Sequence, residues 1–219
     1  MIASLRWLRR MIFGVSPEET SFARRGFWAG EPGARQRLEY SGTTFLRGYH
    51  AALEEDTADA LAVRLTAVEP EFRGFAFEGA AMGLAMLDLV TPWKRNRWAS
   101  FAEGPGAAHI YMVHVGVGWA LARFPRRGER TLGRLNPFLR WLAVDGYGFH
   151  EGYFHWRRAL EGQGVPRRLS GYARRAFDQG LGRSLWFVDG ADVTRMGAPA
   201  RPPATVSSST SGGSFCTDV

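Results

Sequence analysis

The sequence predicts an all-α fold, and three observations support this prediction. Apolar residues recur at helical spacing in one segment after another, capping residues precede several of these segments, and four segments contain two small residues four positions apart. The alternating strand and helix pattern of α/β proteins is absent. We therefore expect antiparallel helix pairs stacked as a solenoid-like helical repeat, with an irregular helical bundle as the alternative.

The first two predicted elements are short. Residues 1–13 carry arginines among large apolar side chains, so we expect a helix packed on the body of the protein rather than a secretory signal. A basic amphipathic helix at a membrane surface is the alternative. Ser16, Pro17 and Glu19 then form a capping-box helix start. The helix that they begin is expected to end near Gly26.

Longer helices follow from the apolar spacing and from the loop signals between them. Pro92 stops one helix, 104–106 is a Gly-Pro-Gly loop, and Asn136 is a helix cap. The predicted helices lie at 33–55, 57–68, 71–89, 109–124, 136–160 and 170–187. Together they form one helical domain at 1–196. Residues 197–219 are rich in Pro, Ser, Thr and Gly and are expected to form a disordered tail.

Pairs of small residues four positions apart recur along the predicted helices. The pairs are Gly79/Gly83, Gly118/Ala122, Gly148/Gly152 and Gly180/Ser184. Such a pair lies on one helix face and lets a second backbone come close, which can offset the cost of up to about 1 kcal/mol for a helical glycine. Their spacing along the chain is close to the length of a helix–turn–helix repeat. They predict tight helix-on-helix packing.

Charge and cysteine content restrict the class of protein. The formal net charge is +7, but the arginines are spread along the chain without a dense run between aromatic residues, so nucleic-acid binding is not predicted. Cys216 is the only cysteine, which excludes an internal disulfide and a multi-cysteine metal site and fits a reducing, cytoplasmic compartment. No apolar run reaches the roughly 18 residues of a transmembrane helix.

The candidate catalytic residues are Glu78, Glu151, His150 and His155. Glu151 and His155 lie four apart and can act as a general acid–base pair, or else form a satisfied polar pair in a helical interface. His150 and His155 are five apart, so they do not match the zinc-protease pattern, and we predict neither a metal nor a cofactor. Glu78 lies in apolar surroundings, where a partner such as Arg73 is expected. Glu78 and Glu151 are expected to face each other across a groove.

A large number of aromatic residues indicates either core packing or a hydrophobic groove for a conjugated ligand. The candidate ligand-binding residues are His109, His114, Trp119, Tyr147, Phe149 and Tyr153. The Gly-Val-Gly at 116–118 follows an apolar run and superficially fits a dinucleotide-binding turn. The third glycine of that motif is missing, so the fit is weak.

Four motifs, in chain order, carry a family resemblance. They are RGFAFEGAAM (73–82), HIYMVHVGVGWALAR (109–123), DGYGFHEGYFH (145–155) and RLSGYARRAFDQGLGRSLWF (168–187). Over about residues 4–195 the chain resembles the bacterial DUF1702 family, whose members occur in actinobacterial natural-product clusters, notably those for enediyne polyketides. The family offers no established catalytic residues to carry over.

The resemblance implies a cytoplasmic accessory role in secondary metabolism, in converting a polyketide-synthase polyene into an enediyne core. The expected partners are a hydrophobic small molecule or the polyketide synthase, and other pathway proteins. Two roles agree with it: an isomerase or cyclase that uses acid–base residues, and a non-enzymatic helical-repeat scaffold that docks partner proteins. Family members look longer after the Leu-Trp-Phe-Val motif, so we expect a truncated or frameshifted C-terminus here.

Overall fold

A computed structural model of the chain describes residues 2–91, 93, 96–125, 131–161, 166, 169 and 171–196. All regular secondary structure in these ranges is helical, which confirms the all-α prediction. The α-helices are α1 (Ile2–Phe13), α2 (Phe22–Arg25), α3 (Pro32–Glu54), α4 (Ala58–Thr66), α5 (Pro70–Val90), α6 (Arg97–Glu103), α7 (Ile110–Arg123), α8 (Arg140–Phe154), α9 (Trp156–Leu160), α10 (Gly171–Val188) and α11 (Val193–Met196). Short 3₁₀ turns lie at Pro17–Thr20 and Ala107–His109. The predicted tail, 197–219, lies outside the described residues.

Two predicted helices are interrupted in the structure. The helix expected after Ser16 is a 3₁₀ turn followed by the one-turn α2, because Ser21 caps a new start by accepting from the Arg24 N–H at 3.2 Å. The helix expected at 136–160 does not start at Asn136, because Asn136 Oδ1 accepts from the Phe138 N–H at 2.9 Å within a turn that precedes the helix. The helix begins at Arg140, with Leu139 as its N-cap, and breaks at His155, between α8 and α9. Helix α6 was not predicted.

Five long helices, α3, α5, α7, α8 and α10, form an array in which each packs on the next. Neighbours run in the same direction: near the start of α3 Tyr40 contacts Phe72 of α5, and near its end Ala52 lies against Gly83. The chain must therefore return between them, and α4 does so after α3, as α6 does after α5. The packed long helices are therefore parallel to one another, which corrects the expected stack of antiparallel helices, and the fold is an all-α bundle with short return helices.

The predicted small-residue pairs lie at the interfaces between the long helices. A β-carbon on Gly79 would meet the Phe45 carbonyl oxygen of α3 at 1.9 Å, and one on Gly180 would meet the Asp145 carbonyl oxygen of α8 at 1.8 Å. Because real β-carbons do not approach backbone atoms so closely, only glycine permits these contacts. The backbone-to-backbone packing predicted from the spacing is confirmed.

Glycines two positions apart on α7 pack against two different neighbours. A β-carbon on Gly116 would lie 2.0 Å from the Glu78 carbonyl oxygen of α5, and one on Gly118 would lie 2.1 Å from the Ala143 carbonyl oxygen of α8. Residues two apart point to opposite sides of a helix, so α7 is held between α5 and α8. The Gly-Val-Gly at 116–118 is thus a double packing site inside a helix, not a dinucleotide-binding turn.

The two faces of the array are covered differently. On one face, α4 and α6 bury their apolar side chains against α5. On the other lies the segment 14–31, here called the strap. The Val15 N–H donates to His50 Nε2 of α3 at 3.3 Å, and the Trp28 N–H donates to the Val188 carbonyl oxygen of α10 at 2.8 Å. The strap therefore bridges the first and last of the five long helices.

Helix α1 is held on the body of the protein by ion pairs of its arginines and by Phe13, which packs against the core. Arg6 and Arg9 both donate to the Asp56 carboxylate at 2.9 Å. The side chains of Trp7 and Met11 are 64% and 58% exposed. The helix packs on the body as expected, and among its described side chains Trp7 and Met11 face outward whereas Phe13 packs against the core. In the described part of the chain, every helix is too short or too polar to cross a bilayer.

Candidate functional site

An apolar cavity lies beneath the strap. Its volume is about 90 Å³. Aromatic side chains form a large part of its wall, among them Phe45, Tyr49, Trp119, Phe149, Tyr153 and Phe187 from α3, α7, α8 and α10. Val15, Glu19 and Thr20 of the strap and residues of α5 also line it. The first and last long helices, α3 and α10, thus line the same cavity, and the strap lies between them.

The packing glycines position the polar side chains of this cavity. Gly116 lets α7 approach the backbone of α5 at Glu78. Trp119, three residues further along α7, then reaches the Glu78 side chain, and its Nε1–H donates to Glu78 Oε1 at 3.0 Å. Glu78 Oε2 has no hydrogen-bond partner among the described residues. One carboxyl oxygen is therefore held in place by the indole, while the other makes no hydrogen bond to a described residue.

The environment of Glu78 changes its acidity. Only 6% of the residue is exposed, and burial raises the pKa of Glu78 to about 7. The positive charge of Arg183 and the hydrogen bond from Trp119 act against this rise, and the nearby Asp145 adds to it. Glu78 is consequently about half protonated at neutral pH. A carboxyl group in that state can both donate and accept a proton.

An ion pair stands beside Glu78. The Arg183 Nε–H donates to both carboxylate oxygens of the buried Asp145, at 3.1 and 3.2 Å, and the guanidinium lies 5.0 Å from the centroid of the Phe149 ring. Arg73, the expected partner of Glu78, instead donates from Nε to the Val68 carbonyl oxygen at 3.2 Å. The prediction of Arg73 was wrong because that side chain turns back toward the start of its own helix.

The sequence-predicted site residues divide into separate groups. Glu78, Trp119, Phe149 and Tyr153 line the cavity together. Glu151 does not line it, so the expected groove with Glu78 and Glu151 on opposite sides is not formed. The carboxylate near Glu78 is Asp145.

His150, Glu151 and His155 form a second cluster, at the junction of α8 and α9. His150 Nδ1 lies 3.2 Å from Glu151 Oε1, and His155 Nδ1 lies 3.3 Å from Glu151 Oε2. Burial lowers the pKa of His150, so this ring is neutral at pH 7. The His150 ring packs edge-on against Trp119, whose indole stands between this cluster and Glu78. The indole N–H is only a donor, so the contact does not relay a proton.

The other three predicted ligand-binding residues lie outside the cavity wall. The His109 ring packs on Phe77 with 4.3 Å between ring centroids. His114 Nδ1 lies 2.8 Å from the Ile110 carbonyl oxygen, on the side of α7 that faces α6. Tyr147 packs edge-on against Phe177 of α10. Their helical positions rotate them away from the strap.

Sequence reasoning did not single out Tyr49, Arg123 and Arg183 of the cavity wall, or Asp145, which pairs with Arg183 near Glu78. One signal was present, since Asp145 comes directly before the packing glycine Gly146, as Glu78 comes directly before Gly79. The two arginines had no local signal. Among the described residues, no group of three or more His, Cys, Asp or Glu side chains has an arrangement that could hold a metal ion.

Comparison with known proteins identifies the family of the chain. The model of a family described as "Protein of unknown function (DUF1702)" matches residues 4–200. No curated protein and no solved structure shows a significant match to the chain.

Proposed function

The chain belongs to the DUF1702 family, and we propose that it is an accessory protein of enediyne-type polyketide biosynthesis that binds a hydrophobic polyene intermediate, free or carried by the synthase, in the cavity beneath the strap. The pathway rests on the family resemblance of the four motifs. The choice of ligand rests on the aromatic wall, because conjugated chains stack favourably on aromatic rings.

Glu78 is the observation that supports a catalytic form of this proposal. An isomerisation of a conjugated chain moves one proton onto a carbon and removes another from a second carbon, with no net change in composition. A carboxyl group with a pKa of about 7 in an apolar wall can perform both transfers. Cyclisation started by protonation would use the same group. Trp119 orients the carboxyl group through its hydrogen bond to Oε1.

The size of the cavity sets a condition on binding. Its volume of about 90 Å³ is smaller than the about 150 Å³ that holds benzene in an engineered protein cavity. A polyene therefore enters only when the outer wall moves. That wall is the strap, which is held to α8 by hydrogen bonds such as the one from Arg25 Nη2 to the Phe154 carbonyl oxygen at 2.9 Å.

The catalytic form is tested by comparing three substitutions in a producing strain. Glu78→Gln keeps an oxygen for the Trp119 N–H but cannot exchange a proton, so the product should fall at least about tenfold, within the typical contribution of general acid–base catalysis. Glu151→Gln and His155→Ala are matched controls outside the cavity and should leave the product within about twofold. Normal product from folded Glu78→Gln protein would contradict the catalytic role.

A non-enzymatic scaffold is the second candidate function, and the exposed apolar face of α1 favours it. Trp7 and Met11 lie four apart on one helix face, as contact residues of a docking helix do. In this case Trp7→Ser combined with Met11→Ser should abolish co-purification with the synthase, while Glu78→Gln should leave both co-purification and product unchanged.

A further inference from the structure

Among the described residues around the cavity, the fully charged side chains are paired with opposite charges except for one arginine. Glu19 is paired with Arg25, whose Nη1 lies 2.7 Å from Glu19 Oε2. Arg183 is paired with Asp145. Glu78 is half neutral at pH 7. Arg123, the last residue of α7, also lines the cavity, and it makes no ion pair with any described residue. The one uncompensated full charge in the described wall is therefore positive.

The position of Arg123 places this charge at one end of the cavity. Arg123 lies one helical turn beyond Trp119 on the same side of α7, about 6 Å along the helix. Its charge acts on the Tyr49 hydroxyl and on the His150 ring, so the guanidinium stays near the wall rather than turning away. Arg123 is itself exposed, as a residue at the mouth of a cavity is.

We propose that the ligand of this cavity is an amphiphile: an extended apolar chain whose terminal carboxylate is held by Arg123 while the chain passes Trp119 and Glu78. This inference rests on the proposed function, and it adds the class of ligand and its direction of entry. A guanidinium binds a carboxylate through two parallel hydrogen bonds, which fixes the orientation of the chain.

The surroundings favour a carboxylate over a phosphate. Arg123 supplies a single positive charge, and Glu19 lies in the same wall. The second negative charge of a phosphate would face apolar rings and a carboxylate without compensation. With a carboxylate at Arg123, the first part of the apolar chain lies against Trp119. The carbons that follow reach the free carboxyl oxygen of Glu78.

The test uses a conjugated tetraenoic fatty acid, parinaric acid, and its methyl ester, both of which fluoresce more strongly in an apolar site. The wild-type protein should bind the acid more tightly than the ester. Arg123→Gln should weaken binding of the acid about tenfold, the loss expected for one charge-assisted pair at a partly exposed site, and should leave the ester within about twofold. Arg123→Lys should restore part of the loss.

Arg35→Gln is the matched control, because Arg35 is an exposed arginine of α3 outside the cavity wall. It should change neither affinity. Circular dichroism and the melting temperature confirm that each variant is folded. Equal affinity of wild-type and Arg123→Gln protein for the acid would overturn the inference. An equal loss of affinity for the acid in Arg35→Gln would also overturn it, as would tighter binding of an alkyl phosphate than of the acid.

The outcomes also separate this inference from the proposed function. If the ester binds but Arg123→Gln does not weaken binding of the acid, the apolar binding site is supported and the carboxylate subsite is wrong. If neither probe binds the folded wild-type protein, the proposed function is contradicted, and the subsite falls with it.

Discussion

At the scale of single residues, the central feature is Glu78, a buried carboxyl group whose pKa is raised close to neutral pH. Helix packing places its carboxyl group in an aromatic wall, where burial raises the pKa to about 7. Trp119 and Arg183 lower the pKa but do not cancel the effect of burial. Asp145 receives a direct ion pair from Arg183, whereas Glu78 receives none. That difference leaves Glu78 able to carry a proton near neutral pH.

The raised pKa of Glu78 predicts a pH-dependent stability. The folded protein holds the proton more tightly than the unfolded chain, so the contribution of Glu78 is fully present below pH 4.5 and is lost as the pH rises through about 7. The difference in unfolding free energy between wild type and Glu78→Gln should fall by about 3 kcal/mol over this range. Urea denaturation at several pH values measures it. Contributions from His50, His114 and His150 cancel between the two proteins, and a pH-independent difference would contradict the prediction.

The hydrogen bond from Trp119 predicts a second change. Trp119→Phe removes the N–H that lowers the pKa of Glu78 while keeping an aromatic ring. The pKa of Glu78 should therefore rise further, as followed by carbon NMR of the side-chain carboxyl group. His155→Ala is the control, because His155 lies on the far side of the indole. A lower pKa in Trp119→Phe would show that the indole does not donate to Glu78.

At the scale of helices, the packing glycines decide how the long helices approach each other. Gly79, Gly116, Gly118, Gly148 and Gly180 each bring a neighbouring backbone to a distance that no side chain permits. They also set the rotation of each helix, and so decide which residues reach the cavity. The motifs that carry the family resemblance are for this reason largely packing motifs.

Two glycines on α10 give a matched test of this role. A β-carbon on Gly180 would meet the Asp145 carbonyl oxygen at 1.8 Å, whereas one on Gly182 would have no atom within 4 Å. Gly180→Ala should cost about 3 kcal/mol or more of unfolding free energy, because the backbone of α8 has to shift. Gly182→Ala should raise the unfolding free energy by about 0.5–1 kcal/mol, because alanine favours the helix more than glycine does. Urea unfolding followed by circular dichroism compares them, and similar effects of both would refute the packing role.

At the scale of the whole molecule, we predict that the strap controls access to the cavity. It covers the hollow between α3 and α10 and is fastened at several points, including the hydrogen bond from the Tyr153 hydroxyl to the Glu19 carbonyl oxygen at 3.2 Å. The wall beneath it belongs to the densely packed helical array. The strap is therefore the element that has to move when a ligand longer than a few atoms enters.

A disulfide between strap and array tests this motion. A β-carbon on Gly42 would lie 3.2 Å from the Thr20 β-carbon, just below the about 3.5–4.5 Å found across disulfides, so a small outward shift of the strap admits the bond. Thr20→Cys with Gly42→Cys, made in a Cys216→Ser background, should slow binding of parinaric acid methyl ester at least about tenfold when oxidised, and reduction should reverse this. The background protein should respond to neither treatment. Equal association rates in both redox states would mean that the ligand enters elsewhere.

Predictions from local patterns were mostly confirmed. The long helices, the cap at Ser16 and the positions of the small residues that pack were predictable, because each depends on residues within a few positions. The breaks at Ser21 and His155 and the helix α6 were not predicted. The aromatic lining was predicted in part: Trp119, Phe149 and Tyr153 lie in the cavity, and Tyr147 does not. The sequence of a helix that is apolar on all sides does not define which of its faces is directed toward the cavity.

The sequence by itself determined an all-helical chain, the glycines that bring its helices together and the presence of Glu78 in an apolar setting. Only the tertiary structure decided that Glu78 stands next to Trp119, Asp145 and Arg183, and that Glu151 belongs to a separate cluster with two histidines. The physical reason is that each of these contacts joins different helices. Their geometry depends on the order, direction and rotation of the packed helices, which no local spacing records.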